Sequence, residues 1–329
     1  MAIPNNKLSA LLEEKKVLMA DGGMGTTLFE LGLHSGAPGE LWNLEHPERI
    51  EAVHRGFVDA GSDIILTNSF GGTRFRCRHH NSEDRVRDIN VNAARIARKV
   101  ADAAKHPVVV GGSMGPTGEM IVPIGERTPD EVEVGFFEQA MALKEGGVDV
   151  AWIETIFFED ELTAAVRAVE RAGLPYVLTM TFDTGGRTMM GLRPEDAIKL
   201  PVTHGWSPIA FGANCGVGPA QLIDSVIGLV KGSSPSDVIV AKGNCGLPKI
   251  GNDMKIHYDG TPEIMADYAT LAYRAGARII GGCCGTTRHH LKVMRTVLTG
   301  GPRDPVPSYA EIEQKLGTVK ITTQRPATG

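Results

Sequence analysis

Three cysteines stand where apolar runs end. Cys215 lies in Ala213-Asn214-Cys215-Gly216, and the adjacent pair Cys283 and Cys284 lies in Gly281-Gly282-Cys283-Cys284-Gly285. Thiolates are soft donors that favour zinc over magnesium or calcium. Three protein ligands leave a tetrahedral ion one open position, the arrangement of catalytic rather than structural zinc. Cys215 is too far in sequence from the pair for zinc-finger spacing, so only the fold can bring these sulfurs together. The adjacent pair also fits a vicinal disulfide used in redox chemistry, a reading that predicts no metal and has no C-x-x-C to support it. Cys77 and Cys245 are single thiols whose ordinary reading is a small buried hydrophobe. Cys245 follows a strand-like run, which leaves it open as an inert spare thiol or as a competing, oxidation-sensitive ligand.

The elements that must position these residues are legible as eight short apolar, β-branched runs at 17–20, 63–67, 108–111, 148–154, 176–182, 209–214, 238–242 and 278–282. Stretches with helical spacing alternate with them, at about 47–60, 83–104, 129–145, 159–172, 194–200, 219–230, 262–275 and 287–298. Pro47, Pro129, Pro194, Pro219 and Pro262 open five of these, where a missing N–H costs nothing. Ala-Gly pairs at 60–61, 172–173 and 275–276 close others. Strands apolar on both faces and joined by helices imply a parallel sheet buried on both sides. Eight such units in about 300 residues match a closed (β/α)8 TIM barrel, an α/β fold. A doubly wound open sheet is the alternative, but no G-x-G-x-x-G opens the first crossover. The expected organisation is one barrel domain at 1–300, with a short N-terminal helix, and a C-terminal tail at 301–329 that wraps the barrel or a neighbour or is partly disordered.

Active sites of such barrels lie at the C-terminal ends of the strands. Those ends are polar here: Asp21-Gly22-Gly23 after the first, Thr67-Asn68-Ser69 after the second, Glu154-Thr155 after the fourth, and the cysteine motifs after the sixth and eighth. Cys215 and the Cys283–Cys284 pair thus share one rim. Asp21 and Glu154 suit a substrate ammonium and the glycine-rich turn suits a carboxylate, although a rim ion pair and a turn cap are the plain structural readings of the two acids. The composition is that of a globular chain, with 42% hydrophobic residues among 329 and a net charge of −5. No basic surface of the kind required by nucleic acid or anionic lipid is implied. The N-terminus has no leader pattern and no run long enough to span a membrane, so the expected location is the cytoplasm, where five cysteines are thiols or metal ligands rather than disulfides.

The motifs Asp21–Thr26 (DGGMGT), Gly212–Gly216 (GANCG) and Gly281–Thr286 (GGCCGT) together resemble those of the homocysteine S-methyltransferase family, over about residues 15–300. The resemblance implies that Cys215, Cys283 and Cys284 bind zinc and that the homocysteine sulfur takes the open position. It implies that Asp21, Gly22, Thr67 and Glu154 hold the amino-acid part of homocysteine, with Gly23 in the same turn. Trp42 aligns with a tryptophan that lines the donor pocket of the betaine-using members, which implies betaine or another onium donor drawn to an aromatic face. An anchor for a loop over the barrel mouth is the other reading of Trp42. Two further aromatic positions of that pocket are Gly71 and Thr155 here, leaving Phe29, Phe70, Phe157 or Phe158 as substitutes.

The expected reaction is therefore zinc-dependent methyl transfer to homocysteine, giving methionine. The alternatives are a sulfonium donor such as S-methylmethionine or dimethylsulfoniopropionate, a separate methyl carrier, and a zinc-dependent homocysteine-binding protein without turnover. A carrier is less expected because no second module follows the barrel. The partners expected are homocysteine, a small methyl donor and a second copy of the chain in a homo-oligomer.

Overall fold

The computed structural model describes residues 6–34, 36–251 and 256–319. Its strands are β1 (Leu18–Met19), β2 (Ile64–Leu66), β3 (Val109–Met114), β4 (Val150–Ile156), β5 (Tyr176–Met180), β6 (Ala210–Cys215), β7 (Ile239–Gly243), β8 (Pro248–Ile250), β9 (Ile256–Tyr258) and β10 (Ile279–Gly282). Eight of them pair in parallel in the order β1-β10-β7-β6-β5-β4-β3-β2. A bridge from Ala20 to Ile64 and a hydrogen bond from Asp63 N to Met19 O at 2.7 Å join the two ends of that order. The sheet is a (β/α)8 barrel, and the join of β1 to β2 removes the open-sheet alternative.

The alternation of side chains along each strand sorts the apolar residues into two layers. Leu18, Ile64, Leu66, Val109, Val150, Trp152, Val177, Ala210, Val240 and Ile279 fill the barrel interior. Met19, Ile65, Val110, Ile153, Leu178, Phe211, Ile239 and Ile280 face the surrounding helices. Burying both faces is what permits near-continuous apolar runs without polar alternation. The N-terminal helix Lys7–Glu14 packs Leu8, Leu11 and Leu12 into the interior cluster and so plugs the end of the barrel opposite the strand C-termini. Asn6 caps its start, accepting from Ser9 N at 3.0 Å.

The helices fall where proline and capping residues predict, with informative departures. The segment expected as one helix at 194–200 is two, Pro194–Ala197 and Leu200–His204, because Pro201 begins a new first turn. Short helices Met24–Glu30, Trp42–Glu45 and Arg74–Arg78 occupy the loops after β1 and β2. An antiparallel ribbon, β8 with β9, stands between β7 and the helix Pro262–Ala275. Beyond residue 300 the chain forms the helix Tyr309–Leu316, with Ile312 buried, Tyr309 Oη donating to Asp224 Oδ1 at 2.6 Å and Arg274 paired with Glu311. This stretch wraps the barrel as ordered structure, while residues 320–329 of the expected tail lie outside the described residues. Among the described residues no helix is long and apolar enough to cross a membrane.

Candidate active site

Continuing the inward alternation upward along β3, β4, β6 and β7 leads to Ser113, Glu154, Asn214 and Lys242, a polar layer above the apolar interior. The strand ends above it carry the cysteines. The sulfurs of Cys215, Cys283 and Cys284 all lie within 4.8 Å of one another. Zinc–sulfur bonds of about 2.3 Å in a tetrahedron require sulfurs about 3.8 Å apart, so small side-chain rotations bring this triad to ligand distance. The donor set and its spacing fit zinc.

Backbone geometry aims the sulfurs. Cys215 has φ 61° and Thr155 has φ 66°, left-handed values that a side chain other than glycine adopts only when its surroundings hold it there. Asn214, fully buried, does the holding: its Oδ1 accepts from Thr155 N at 2.9 Å and its Nδ2 donates to Thr155 Oγ1 at 2.7 Å. Asn244 ties the two cysteine motifs together. Its Nδ2 donates to Gly216 O at 2.6 Å and faces the Cys215 sulfur at 3.5 Å, while its Oδ1 accepts from Cys284 N at 3.0 Å. Tyr258, on the ribbon, stands close enough to Cys284 to draw its thiol pKa down, and its ring rests against Gly285, where a Cβ would stand 2.4 Å from it. At Gly23 a Cβ would stand 2.6 Å from Cys283 O, so this turn must be glycine for the first and eighth strand ends to meet.

The thiols resist ionising together. For Cys215 the hydrogen bond with Cys283 lowers the pKa, but the one with Cys284 and burial outweigh it and push the thiol up to about 11. Cys284 is lowered by its bond with Cys215, then raised further by Cys283 and burial, to about 12. Cys283 is raised as well, first by its hydrogen bond with Cys215. A bound cation removes that mutual opposition.

The acidic residues beside the triad are more committed than sequence alone suggests. Asp21 Oδ1 pairs with Lys242 Nζ at 2.6 Å, and its Oδ2 accepts from Leu66 N at 2.7 Å. Glu154 Oε1 accepts from Ser113 Oγ at 2.5 Å. Burial raises the pKa of both acids, with Lys242 opposing the rise in each. Burial lowers that of Lys242, but Asp21, Glu154 and Cys283 outweigh it and leave the ammonium above its ordinary value. Thr67 Oγ1 lies 2.6 Å from Ser69 Oγ and accepts from Ser113 N at 3.0 Å. Gly22 keeps a backbone N–H without a partner among the described residues, whereas Gly23 N donates to Thr286 O at 2.9 Å and is not free for a substrate. Lys242 is the residue missed by sequence reasoning. The signal was present, since a charge in a strand buried on both faces requires a partner.

The remaining sequence candidates separate from this cluster. Trp42 is buried among apolar residues, with His46 edge-on at 5.1 Å and the Arg49 guanidinium 4.8 Å from its ring centroid. One cation already sits on that ring. Phe70 packs on Gly115 between the ends of β2 and β3, and Phe29 is largely exposed. Cys245 turns away from the triad: its thiol donates to Gly260 O at 3.2 Å beside His290 Nε2 at 3.3 Å, and burial pushes it up to about 12. Cys77 is pushed up to about 11 by burial and Glu40. A cleft of about 450 Å³ on the same rim is lined by Phe29, Glu40, Gly71, Arg76 and His80 and does not include the triad.

The model of a family described as homocysteine S-methyltransferase matches residues 18–298. Methionine synthase from Mycobacterium leprae is 32% identical over 295 residues, which are 84% of this chain and 24% of that one, so the chain spans about a quarter of that relative's length. The metallated form of the homocysteine methyltransferase MmuM from Escherichia coli superposes with a TM-score of 0.73 at 23% identity, covering 88% of this chain and 99% of that one. Its oxidized form gives 0.74 at 23% identity, over 89% and 99%. At that identity the two structures establish a shared fold.

Proposed function

The chain belongs to the homocysteine S-methyltransferase family, and on that footing we propose that it transfers a methyl group from an onium donor, betaine first, to homocysteine, giving methionine. The observation that carries this reading is the convergence of Cys215, Cys283 and Cys284, from two separate strand ends, within 4.8 Å. We assign zinc to these sulfurs. Held by Cys215, Cys283 and Cys284, the ion would supply a lowered pKa to the homocysteine thiol, so that no side chain need act as general base. Homocysteine sulfur then forms a bond to the methyl carbon as the carbon–nitrogen bond of the donor breaks and its electron pair stays on nitrogen.

The chain's own contribution is orientation, which can replace a large part of a bimolecular barrier. Glu154 is assigned to the substrate ammonium, and Asp21 stands behind it in the same acidic wall, tied to Lys242 at 2.6 Å. Gly22 N–H is assigned to the substrate carboxylate, with Thr67 supporting that side through its bonds to Ser69 and Ser113. Gly23 contributes through close approach rather than through its N–H. Trp42 is assigned to the donor side, where Arg49 leaves it one ring face at most. We further propose a barrel domain at 1–300 followed by a C-terminal tail at 301–329, a cytoplasmic location and a homo-oligomer. Exposed Met120, Val122 and Ile124 in the loop after β3 support the last.

The test is methionine production, read by mass spectrometry, from anaerobic zinc-replete protein given homocysteine with betaine, dimethylsulfoniopropionate, S-methylmethionine or S-adenosylmethionine. Betaine is expected to be the best donor. Replacing Cys215, Cys283 or Cys284 singly with serine is expected to abolish stoichiometric zinc and turnover together. Full zinc without turnover on any donor counts against the catalytic reading and leaves the binding protein.

A further inference from the structure

Asp21, Glu154 and Lys242 form a buried group of three charges whose members come from the ends of β1, β4 and β7. They are not equivalent toward a ligand. Both carboxylate oxygens of Asp21 are taken, Oδ1 by Lys242 at 2.6 Å and Oδ2 by Leu66 N–H at 2.7 Å, and the residue is 1% exposed. Lys242 makes a second contact to the same residue, at 3.2 Å from Asp21 O. Glu154 uses only Oε1, toward Ser113. Its Oε2 has no partner among the described residues, and it is not one of the buried atoms sealed off without one.

The group therefore presents one neutralised acid and one uncommitted acid. We infer that Lys242 sets the amino-acid selectivity of the site by withdrawing Asp21 from the substrate, which leaves Glu154 Oε2 as the sole anionic contact for the α-ammonium. The inference rests on the homocysteine reading above. It makes Lys242 a positioning residue and gives the two acids different roles. Asp21 holds Lys242 and the β2 backbone, whereas Glu154 recognises the ligand. The net charge fits this division, because two carboxylates and one ammonium leave a single negative charge for a single incoming cation. A second unpaired carboxylate would stay uncompensated in a buried site.

The experiment compares equilibrium binding of L-homocysteine with that of 4-sulfanylbutanoate, the same thiol acid without the amino group, by calorimetry on zinc-replete protein. Zinc content and thermal transition are recorded for each variant. The wild type is expected to prefer homocysteine. In E154Q that preference shrinks by about tenfold or more, the usual effect of losing a hydrogen bond to a charged group. In the double variant D21N/K242M, which removes the neutral pair and keeps Glu154, the preference stays near the wild-type value. In E154Q/K242M it returns in large part, because Asp21 released from the lysine becomes the ammonium acceptor.

A wild-type preference that survives E154Q, or one that collapses in D21N/K242M as it does in E154Q, overturns the assignment. So does a folded E154Q/K242M without recovery. If that variant does not fold, the contrast between E154Q and D21N/K242M decides the matter alone. Wild-type protein that binds neither thiol overturns the homocysteine reading and this inference with it. Binding of both thiols with an unchanged preference in E154Q overturns this inference only.

Discussion

Asn244 and Cys245 are neighbours with opposite expected consequences. The Asn244 amide contacts Gly216 O, the Cys215 sulfur and Cys284 N, so it fixes the distance between two cysteine motifs that share no strand pairing of their own. Asn244→Ala is expected to weaken zinc binding by about 10–100-fold, the usual effect of losing a group that orients metal ligands. Chelator competition measures this directly. Cys245 is held by Gly260 O and His290 on the far side of its own backbone. Cys245→Ala is therefore expected to retain one zinc per chain and the wild-type zinc affinity, and a loss comparable to that of Cys215→Ser would make it a ligand. Residue type alone identified the cysteines, because three thiols at strand ends have few other uses. It could not separate Cys245 from them, because burial and hydrogen-bond direction decide that and neither is written in the motif. Gly23 shows the same limit, since a backbone N–H looks available until Thr286 O is found on it.

The elements were legible where the chain repeats one physical pattern. Every barrel strand buries both faces, so each reads as an apolar run, and proline at the first helical turn marks where five of the helices begin. What escaped was built from other signals. The β8–β9 ribbon is short and mostly polar, from Pro248 to Tyr258, and its role comes from Tyr258 reaching Cys284. The paired helices at Pro194–Ala197 and Leu200–His204 divide at a second proline. The helix Lys7–Glu14 has an apolar face that sequence cannot assign to an end of the barrel, yet Leu8 is completely buried in the interior cluster. Leu8→Ala leaves a cavity in the plug and is expected to cost about 2–5 kcal/mol in urea unfolding. The strand C-termini lie at the other mouth, so zinc affinity of the folded variant should match the wild type. A variant that loses zinc affinity as well as stability would mean that the two ends of the barrel are coupled.

Across the whole molecule, acid sensitivity has an identifiable origin in His54. It lies on the inner face of the helix Pro47–Asp59, fully buried, and neither ring nitrogen has a hydrogen-bond partner among the described residues. Burial alone pulls its pKa from 6.5 down to about 4. Below pH 6.5 the unfolded chain takes up a proton that the folded chain refuses, so stability falls as pH drops toward 4. The loss amounts to about 2 kcal/mol between pH 7 and 5 for a shift of this size. Asp21 and Glu154 act in the opposite sense. Their pKa values are raised in the fold, so their ionised forms oppose folding and that opposition is relieved as pH falls. Release in acid of the zinc proposed for the triad would add a further loss common to any variant that keeps the cysteines. The His54 contribution is isolated by comparing the wild type with His54→Leu, which removes the proton site and fills much of the same volume. Urea midpoints for the two should draw apart as the pH is lowered from 7 to 5, with the leucine variant the more resistant by about 2 kcal/mol at the acid end. Parallel curves would mean that His54 finds a proton acceptor in the folded protein and that the acid response originates in the metal site.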